Sequence, residues 1–298
     1  MSGSPHVVPL GTAPERVDRY ASRVLPGLPS KARARKAARA GTLLLNGQAV
    51  ESSRFVRPGD ELQFCPPATK APKPFPFDLE QVHVDEHLAA VVKPPGLLTS
   101  GNRYRTLEAA LVHALPPPDR ADALPWPRPV HRLDFRTGGL VLAARTTTAQ
   151  IALGHAFETR RVHKTYRAIV SGHLRGAGTV SEPVEDRPAE TRWQAITHHP
   201  SSRVGTMTTV ALWPSTGRTH QLRRHLAHLG HPILGDERYT PADTPVLKGK
   251  GLFLWAVGLS LEHPTTGARL RLLAPEPPRF TSLRSREARR VARLSATD

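Results

Sequence analysis

Pro66, Pro67, Pro72, Pro74 and Pro76 crowd one short stretch of this 298-residue chain. No helix interior or central strand tolerates them, because each proline fixes φ and removes a backbone donor. Such a composition makes an extended, semi-rigid connection. The chain is therefore expected to fold as two bodies, a small one over residues 14–65 and a larger one over 77–280. A linker over 66–76 joins them, and a basic C-terminal tail covers 281–298. The length suffices for two domains and at least one sizeable core.

Charge narrows the partner. Forty-two Lys and Arg stand against twenty-five Asp and Glu, a formal net charge of +17, which favours a polyanion over a small neutral metabolite. The single cysteine, Cys65, excludes an internal disulfide, a four-thiolate zinc site and a cysteine-ligated iron–sulfur cluster. A reducing cytoplasm fits that usage, and the opening residues lack the basic-then-apolar pattern of an export signal. Apolar runs such as Leu88 to Val92 are far shorter than the roughly 18 residues a membrane helix needs, so no membrane partner is expected. The absence of heptads favours a monomer.

In the small segment, Val17, Tyr20, Ala21 and Val24 follow helical spacing. Ser30 is placed to cap a second helix over Lys31 to Ala40, ended by Gly41. Short strands are expected at Leu43 to Leu45, Ala49 to Val50 and Glu61 to Phe64, with turns at Asn46-Gly47 and Pro58-Gly59-Asp60. Along the second helix Lys31, Arg33, Arg35, Lys36 and Arg39 carry no acid between them. A phosphate backbone rewards such a run through counterion release, and a solvated helix face accounts for the charge pattern equally well. These features, with Arg16 and Asp18 opening the first helix, resemble the S4 RNA-binding domain over about fifty residues.

From Phe77 to Phe280 the chain mixes strand-like runs (Val82 to Val84, Leu88 to Val92, Leu140 to Ala144, Tyr166 to Val170, Met207 to Leu212) with helical ones (Thr106 to Leu115, Thr146 to Thr159). Irregular alternation implies an α+β domain with a mixed, largely antiparallel sheet flanked by helices, rather than a doubly wound repeat. Pro116 to Pro129 carries six prolines and is expected to be a loop. Arg279, Arg284, Arg286, Arg289, Arg290 and Arg293 against Glu287 make the tail basic, either a helix that touches RNA or a solvated end.

Chemistry concentrates in two strings. His131-Arg132-Leu133-Asp134-Phe135-Arg136-Thr137-Gly138-Gly139 runs into an apolar strand. An acid between two arginines stays ionised, because an opposite charge at contact lowers a carboxyl pKa by about one to three units. Such a carboxylate serves as a nucleophile, or as a turn cap or structural ion pair. The second string, Ser215-Thr216-Gly217-Arg218-Thr219-His220-Gln221-Leu222-Arg223, leads into a helix expected over Thr219 to Gly230, because Leu222, Leu226 and Leu229 recur at i, i+4 and i+7. Its N-terminus and arginines suit an anion, either a ligand phosphate or the Asp134 carboxylate. His220, His225, His228 and His231 lie close in sequence, but neighbouring arginines repel a cation and no cysteine is near, so no metal is expected. No phosphate-loop lysine and no strand-linked G-x-G-x-x-G occurs, and no cofactor is expected.

Together the strings resemble the RluA-type branch of the pseudouridine synthases over nearly all of residues 14–280. The matching features are Asp85 with Lys93-Pro94-Pro95-Gly96-Leu97, His131 to Asp134 with Thr137 and Gly139, Lys164-x-Tyr166, and Thr216 to Arg223. Gly230-x-Pro232-Ile233-x-Gly235-Asp236 with Tyr239, and His263-Pro264 with Gly267, complete the set. The resemblance implies isomerisation of uridine in structured ribosomal or transfer RNA without metal or cofactor. It implies Asp134 as the essential aspartate, Tyr166 as the aromatic that stacks on uracil and a candidate for proton transfer, and Arg223 as the base that ion-pairs with the aspartate. Arg132 would help displace the flipped base. His131, Thr137, Lys164, Arg218 and His220 would bind substrate, with Arg218 a second candidate for the ion pair. Two positions depart from the pattern: Gly138 where Ser or Thr is common, and Trp255 where His is usual.

Flipping a base out of folded RNA costs a few kcal/mol, which basic surface and an aromatic platform offset. At the level of sequence, attack on the sugar, attack on the base and abstraction of a sugar proton are equally open to Asp134. A non-catalytic RNA-binding or ribosome-assembly protein would be as basic, but RNA binding alone does not call for an acid amid arginines. A glycoside or N-glycosyl hydrolase would usually show paired carboxylates or a metal.

Overall fold

The computed structural model describes residues 5–25, 27–28, 30–65, 71–242, 244–245, 247 and 249–296. The chain divides into two compact units, Met1–Lys70 and Ala71–Asp298. No helix among the described residues is long and apolar enough to cross a membrane.

The first unit holds β1 (His6–Val7), β2 (Glu15–Arg16), α1 (Val17–Val24), α2 (Lys31–Arg39), β3 (Leu43–Leu45), β4 (Gln48–Ala49), β5 (Phe55–Val56) and β6 (Glu61–Phe64). The helices bury one stripe each, Val17, Tyr20 and Ala21 from α1 and Ala34, Ala37 and Ala38 from α2, against Leu43, Val56 and Leu62. Ser30 caps α2 by accepting from the Arg33 N–H at 3.3 Å. Asn46 and Gly47 both take positive φ, 53° and 77°, the backbone a two-residue hairpin demands between β3 and β4. Buried Asp18 receives Arg35 Nε at 2.6 Å and Arg16 Nε at 3.4 Å. Arg35 is thereby partly committed to structure. Lys31, Arg33, Lys36 and Arg39 are exposed and form no ion pair among the described residues.

The second unit continues with β7 (Gln81–Val84), β8 (Leu88–Lys93), α3 (Leu107–Ala114), β9 (Ala123–Pro129), β10 (Gly138–Thr146), α4 (Thr147–Glu158) and β11 (His163–Ser171). It closes with β12 (Ala177–Val180), β13 (Thr191–Ser201), β14 (Gly205–Pro214), α5 (Gln221–His228), β15 (Leu254–Glu262), β16 (Arg269–Leu273) and α6 (Pro278–Ser295). The sheet runs β12-β13-β14-β11-β15-β10-β8-β7, with β16 beside β15 and β9 beside β10. Its pairs are antiparallel except β10 with β15, so the fold is α+β with a mixed, largely antiparallel sheet. Alternate residues of β8 and β10 enter separate cores: Ala90, Val92, Leu140 and Leu142 join one, and Ala89, Val91, Val141 and Ala143 the other. Burial on both faces explains why these strands read as continuous apolar runs.

Three expectations need correction. The proline-rich stretch 116–129 is not all loop, because its second half is β9. That strand pairs only with β10, and an edge strand tolerates prolines whose missing donors would face no partner. The expected linker 66–76 is anchored at its end, where the Phe75 N–H donates to the Ala109 carbonyl at 3.0 Å and Phe75 and Phe77 pack on the α3 core; residues 66–70 lie outside the described residues. The segment from 281 is no separate tail but most of α6, with Phe280 and Leu283 buried in the main core.

Candidate active site

Strand register builds the floor of the site. Lys93, Gly139, Ala256, Tyr166 and Leu212 stand in one row across β8, β10, β15, β11 and β14. Residues directly opposite in a sheet share a face. Lys93 and Tyr166 therefore flank two small residues, and of this row Tyr166 reaches the open space of the site. Gly139 is required here: its φ is +117°, and an added Cβ would lie 2.3 Å from the Ala256 carbonyl oxygen. A bulge in β11 between Thr165 and Tyr166 re-aims the strand where it carries its two site residues.

Asp134 enters that space from the loop before β10, and its backbone is clamped on both sides. Thr99 Oγ1 accepts from the Leu133 N–H and donates to the Leu133 carbonyl, each at 3.2 Å. The Gly96 N–H donates to the Phe135 carbonyl at 2.7 Å. The clamp is itself organised by Lys93, whose fully buried Nζ donates to the Pro94 and Leu97 carbonyls at 3.0 and 2.9 Å. Burial pushes the Lys93 ammonium down to about 8 against the opposing pull of the Asp134 charge. Among the described residues the Asp134 side chain makes no direct hydrogen bond or ion pair, so its oxygens are free to meet a ligand. Burial and the Asp134 charge together raise the Tyr166 phenol above its ordinary value, and it stays protonated at neutral pH.

A cavity of about 530 Å³ occupies that space, and His131, Arg132, Asp134, Thr137, Lys164, Tyr166 and Arg218 all line it. Arg132 is exposed at its mouth. Lys164 Nζ donates to the Thr216 carbonyl at 3.0 Å; burial, reinforced by the Arg160 charge, lowers its ammonium to about 8. The Thr216 to Arg218 wall is fixed by buried Gln221, whose Oε1 accepts from Thr216 Oγ1 at 2.7 Å and the Arg218 N–H at 3.0 Å. Thr137 Oγ1 is buried with no hydrogen-bond partner among the described residues. His131 lines the cavity but is spent on structure: Nε2 accepts from the Leu142 N–H at 3.0 Å, its ring stacks on Phe157, and burial holds it neutral, lowered to about 3.

Arg223 departs from expectation. Its Nε and Nη2 donate to the two carboxylate oxygens of Asp236 at 2.7 and 2.8 Å, with both residues buried, so its direct partner is Asp236 and not Asp134. A bidentate fork satisfies both groups, and the Asp134 charge acts on Arg223 only through space. Asp236 also accepts from the Arg238 and Tyr239 N–H groups, which gives the Gly235-Asp236 motif its role. α5 starts two residues later than expected because His220 takes a left-handed backbone, φ 56°, and its Nδ1 lies 2.9 Å from Tyr239 Oη. His225 spends both ring nitrogens on Thr191 and Glu182, and no cluster of three metal-binding side chains occurs among the described residues. The second carboxylate in the cavity wall, Glu158, is exposed at the end of α4.

Sequence reasoning assigned no role to Lys93, Thr99 or Asp236. A lysine ending the apolar run of β8 was the one local signal; the other two act only through partners distant in sequence. The two departures are physically one. A Cβ on Gly138 would lie 2.2 Å from the Trp255 ring, so this indole fills the place of a side chain at 138. Gly138→Ser alone should cost about 1–3 kcal/mol through overpacking, whereas Gly138→Ser with Trp255→His should recover most of it. Thermal melts of the four proteins of this cycle test the coupling, and additive losses would refute it.

A clamped, directly unpaired carboxylate facing a protonated phenol, inside a cationic cavity wide enough for a nucleobase and its sugar, is equipped for bond rearrangement on an anionic polymer. Comparison with known proteins agrees. Residues 87–228 match the family described as RNA pseudouridylate synthase. A ribosomal large subunit pseudouridine synthase D of Xylella fastidiosa is 35% identical over 91% of this chain and 88% of its own length. A dual-specificity RNA pseudouridine synthase RluA of Pasteurella multocida is 35% identical over 66% of this chain and 93% of its own. The structure of human RNA pseudouridylate synthase domain containing 1 superposes with a TM-score of 0.57 at 26% identity, covering 67% of this chain and 84% of that one. The chain belongs to the RluA-type RNA pseudouridine synthases.

Proposed function

We propose that this pseudouridine synthase acts on large-subunit ribosomal RNA, with Asp134 as its essential group. The single observation that supports the role of Asp134 is its clamped backbone and, among the described residues, its directly unpaired carboxylate in the cavity that Tyr166 also lines. The carboxylate initiates cleavage of the N1–C1′ bond; the uracil turns within the cavity; C5 bonds to C1′, losing its proton, and N1 gains one. Tyr166 is the platform for the base, Arg132 occupies the mouth through which the base leaves the helix, and Lys164 and Arg218 neutralise phosphate. Lys93 and Arg223 bring positive charge near the carboxylate. The ribosomal substrate is supported by the Xylella relative, whose match reaches into the first unit. A transcript of large-subunit ribosomal RNA incubated with the enzyme should acquire pseudouridine at discrete positions, detected by carbodiimide adducts that stop primer extension. Modification of transfer RNA transcripts alone would replace the substrate assignment.

The first unit is proposed as an S4-like RNA-binding module, supported by its two helices, its capped basic α2 and the exposed Lys31, Arg33, Lys36 and Arg39. Removal of residues 1–70 should leave a folded enzyme, because each unit has its own core. RNA binding should weaken, and the slope of log affinity against log salt should become shallower by about 0.7–0.9 for each phosphate no longer neutralised. Filter binding across a salt series measures this, and an unchanged slope would mean that α2 faces solvent.

A further inference from the structure

α6 separates its charges by face. Phe280, Leu283 and Glu287 are buried. The carboxylate of Glu287 is satisfied on the inner side by Ser201 Oγ at 2.7 Å, Ser202 Oγ at 3.4 Å and Arg203 Nε at 3.6 Å. Arg286, Arg289, Arg290 and Arg293 are exposed. Their spacing is i, i+3, i+4 and i+7, which at 3.6 residues per turn keeps them within an arc of about 100° and along about 10.5 Å of helix.

Such a stripe repels itself, since like charges three and four apart on a helix destabilise it. A solvated helix would gain by placing Glu287 among the arginines, yet this acid, which has no other acid near it in α6, faces inward. The helix dipole does not explain the stripe either. It favours cations in the last turn, and of these residues only Arg293 lies there. A set of arginines carried on one face of a docked helix, with the local acid withdrawn, matches a row of phosphates.

We infer that the exposed face of α6 binds the phosphate backbone of the RNA substrate, a second binding surface outside the active-site cavity. The inference rests on the RNA-modifying activity and deepens it. The test uses the full-length enzyme and a labelled transcript of large-subunit ribosomal RNA. Replacing Arg286, Arg289 and Arg290 by Gln should reduce the salt slope of binding by about 2–3, three phosphates at 0.7–0.9 each. Affinity should fall at least about tenfold near physiological salt, with the loss appearing in KM rather than kcat. The triple Lys variant, which keeps the charge, should retain most of the slope, and helical circular dichroism and melting should show α6 still docked in both. An unchanged slope in the Gln variant would overturn the inference, as would an equal loss in the Lys variant or a loss confined to kcat. A wild-type enzyme that binds this transcript yet forms no pseudouridine on it would fail the substrate assignment, while the slope comparison would still decide the role of α6.

Discussion

Asp134→Asn should abolish pseudouridine formation, lowering single-turnover rates by about 10⁴-fold or more, while RNA affinity should stay within a few fold. The amide keeps the shape and the clamp, since Thr99 and Gly96 hold the backbone on either side and not the side chain, but it can neither attack nor take a proton. The substitution also removes the anion that raises the Lys93 ammonium, so the lysine should titrate below its present value of about 8. Rates measured with enzyme in excess over RNA, beside filter-binding affinities, separate chemistry from binding. Turnover within tenfold of wild type would take the essential role away from Asp134.

Breaking the Arg223–Asp236 pair has the second large effect, and it falls on stability as well as activity. Arg223→Ala leaves a buried carboxylate without its fork, a loss of about 3–5 kcal/mol. At about 2–4 °C per kcal/mol for a domain of this size, the melting temperature should fall by roughly 6–20 °C. Replacing both partners by apolar residues of similar volume should restore much of the stability, because no charge is left unpaired. It should not restore turnover, because Asp134 would still lack the through-space cation. Recovery of both together would mean that Arg223 is structural alone. The pH dependence has a definite sign. Burial by itself would raise the Asp236 carboxyl, but the hydrogen bonds and charge of Arg223, with two backbone donors, outweigh it and hold the group below the usual carboxylate value. The pair's contribution is therefore present above the unfolded value near 3.8 and is lost as pH falls through the lower folded value. Melts of wild type and the apolar double variant should converge in that acidic range.

Much of the fold was legible because its signals are local. The β8 and β10 runs, the Asn46-Gly47 hairpin, the Ser30 cap and the helically spaced Leu222 and Leu226 of α5 each report a backbone period or a required φ within a few residues. The boundaries moved where a single residue broke the pattern, as at His220, whose left-handed backbone delays α5. β9 was missed because proline content argues for a loop unless the strand is known to lie at an edge, and edge position is a property of the sheet. The docking of α6 was equally hidden. Phe280 and Leu283 are apolar in a basic segment, and only the packed core reveals that they belong to it.

The candidate site divides in the same way. The order and spacing of His131 to Asp134, Lys164 with Tyr166 and Thr216 to Arg223 marked the candidate site residues, because a motif records which side chains are present. Pairing among them was decided in three dimensions. Arg223 turns to Asp236, whose carboxylate presents both oxygens to its fork. Lys93 reaches two carbonyls of the loop that clamps Asp134, and Gly138 yields its space to Trp255. Each of these choices depends on distances set by strand register and burial, between residues that share no local pattern. The sequence alone determined most of the elements, the charge and the candidate reacting groups of this enzyme, because those depend on each residue and its near neighbours. The tertiary structure decided which charges meet, because electrostatics and packing act across space without regard to chain order.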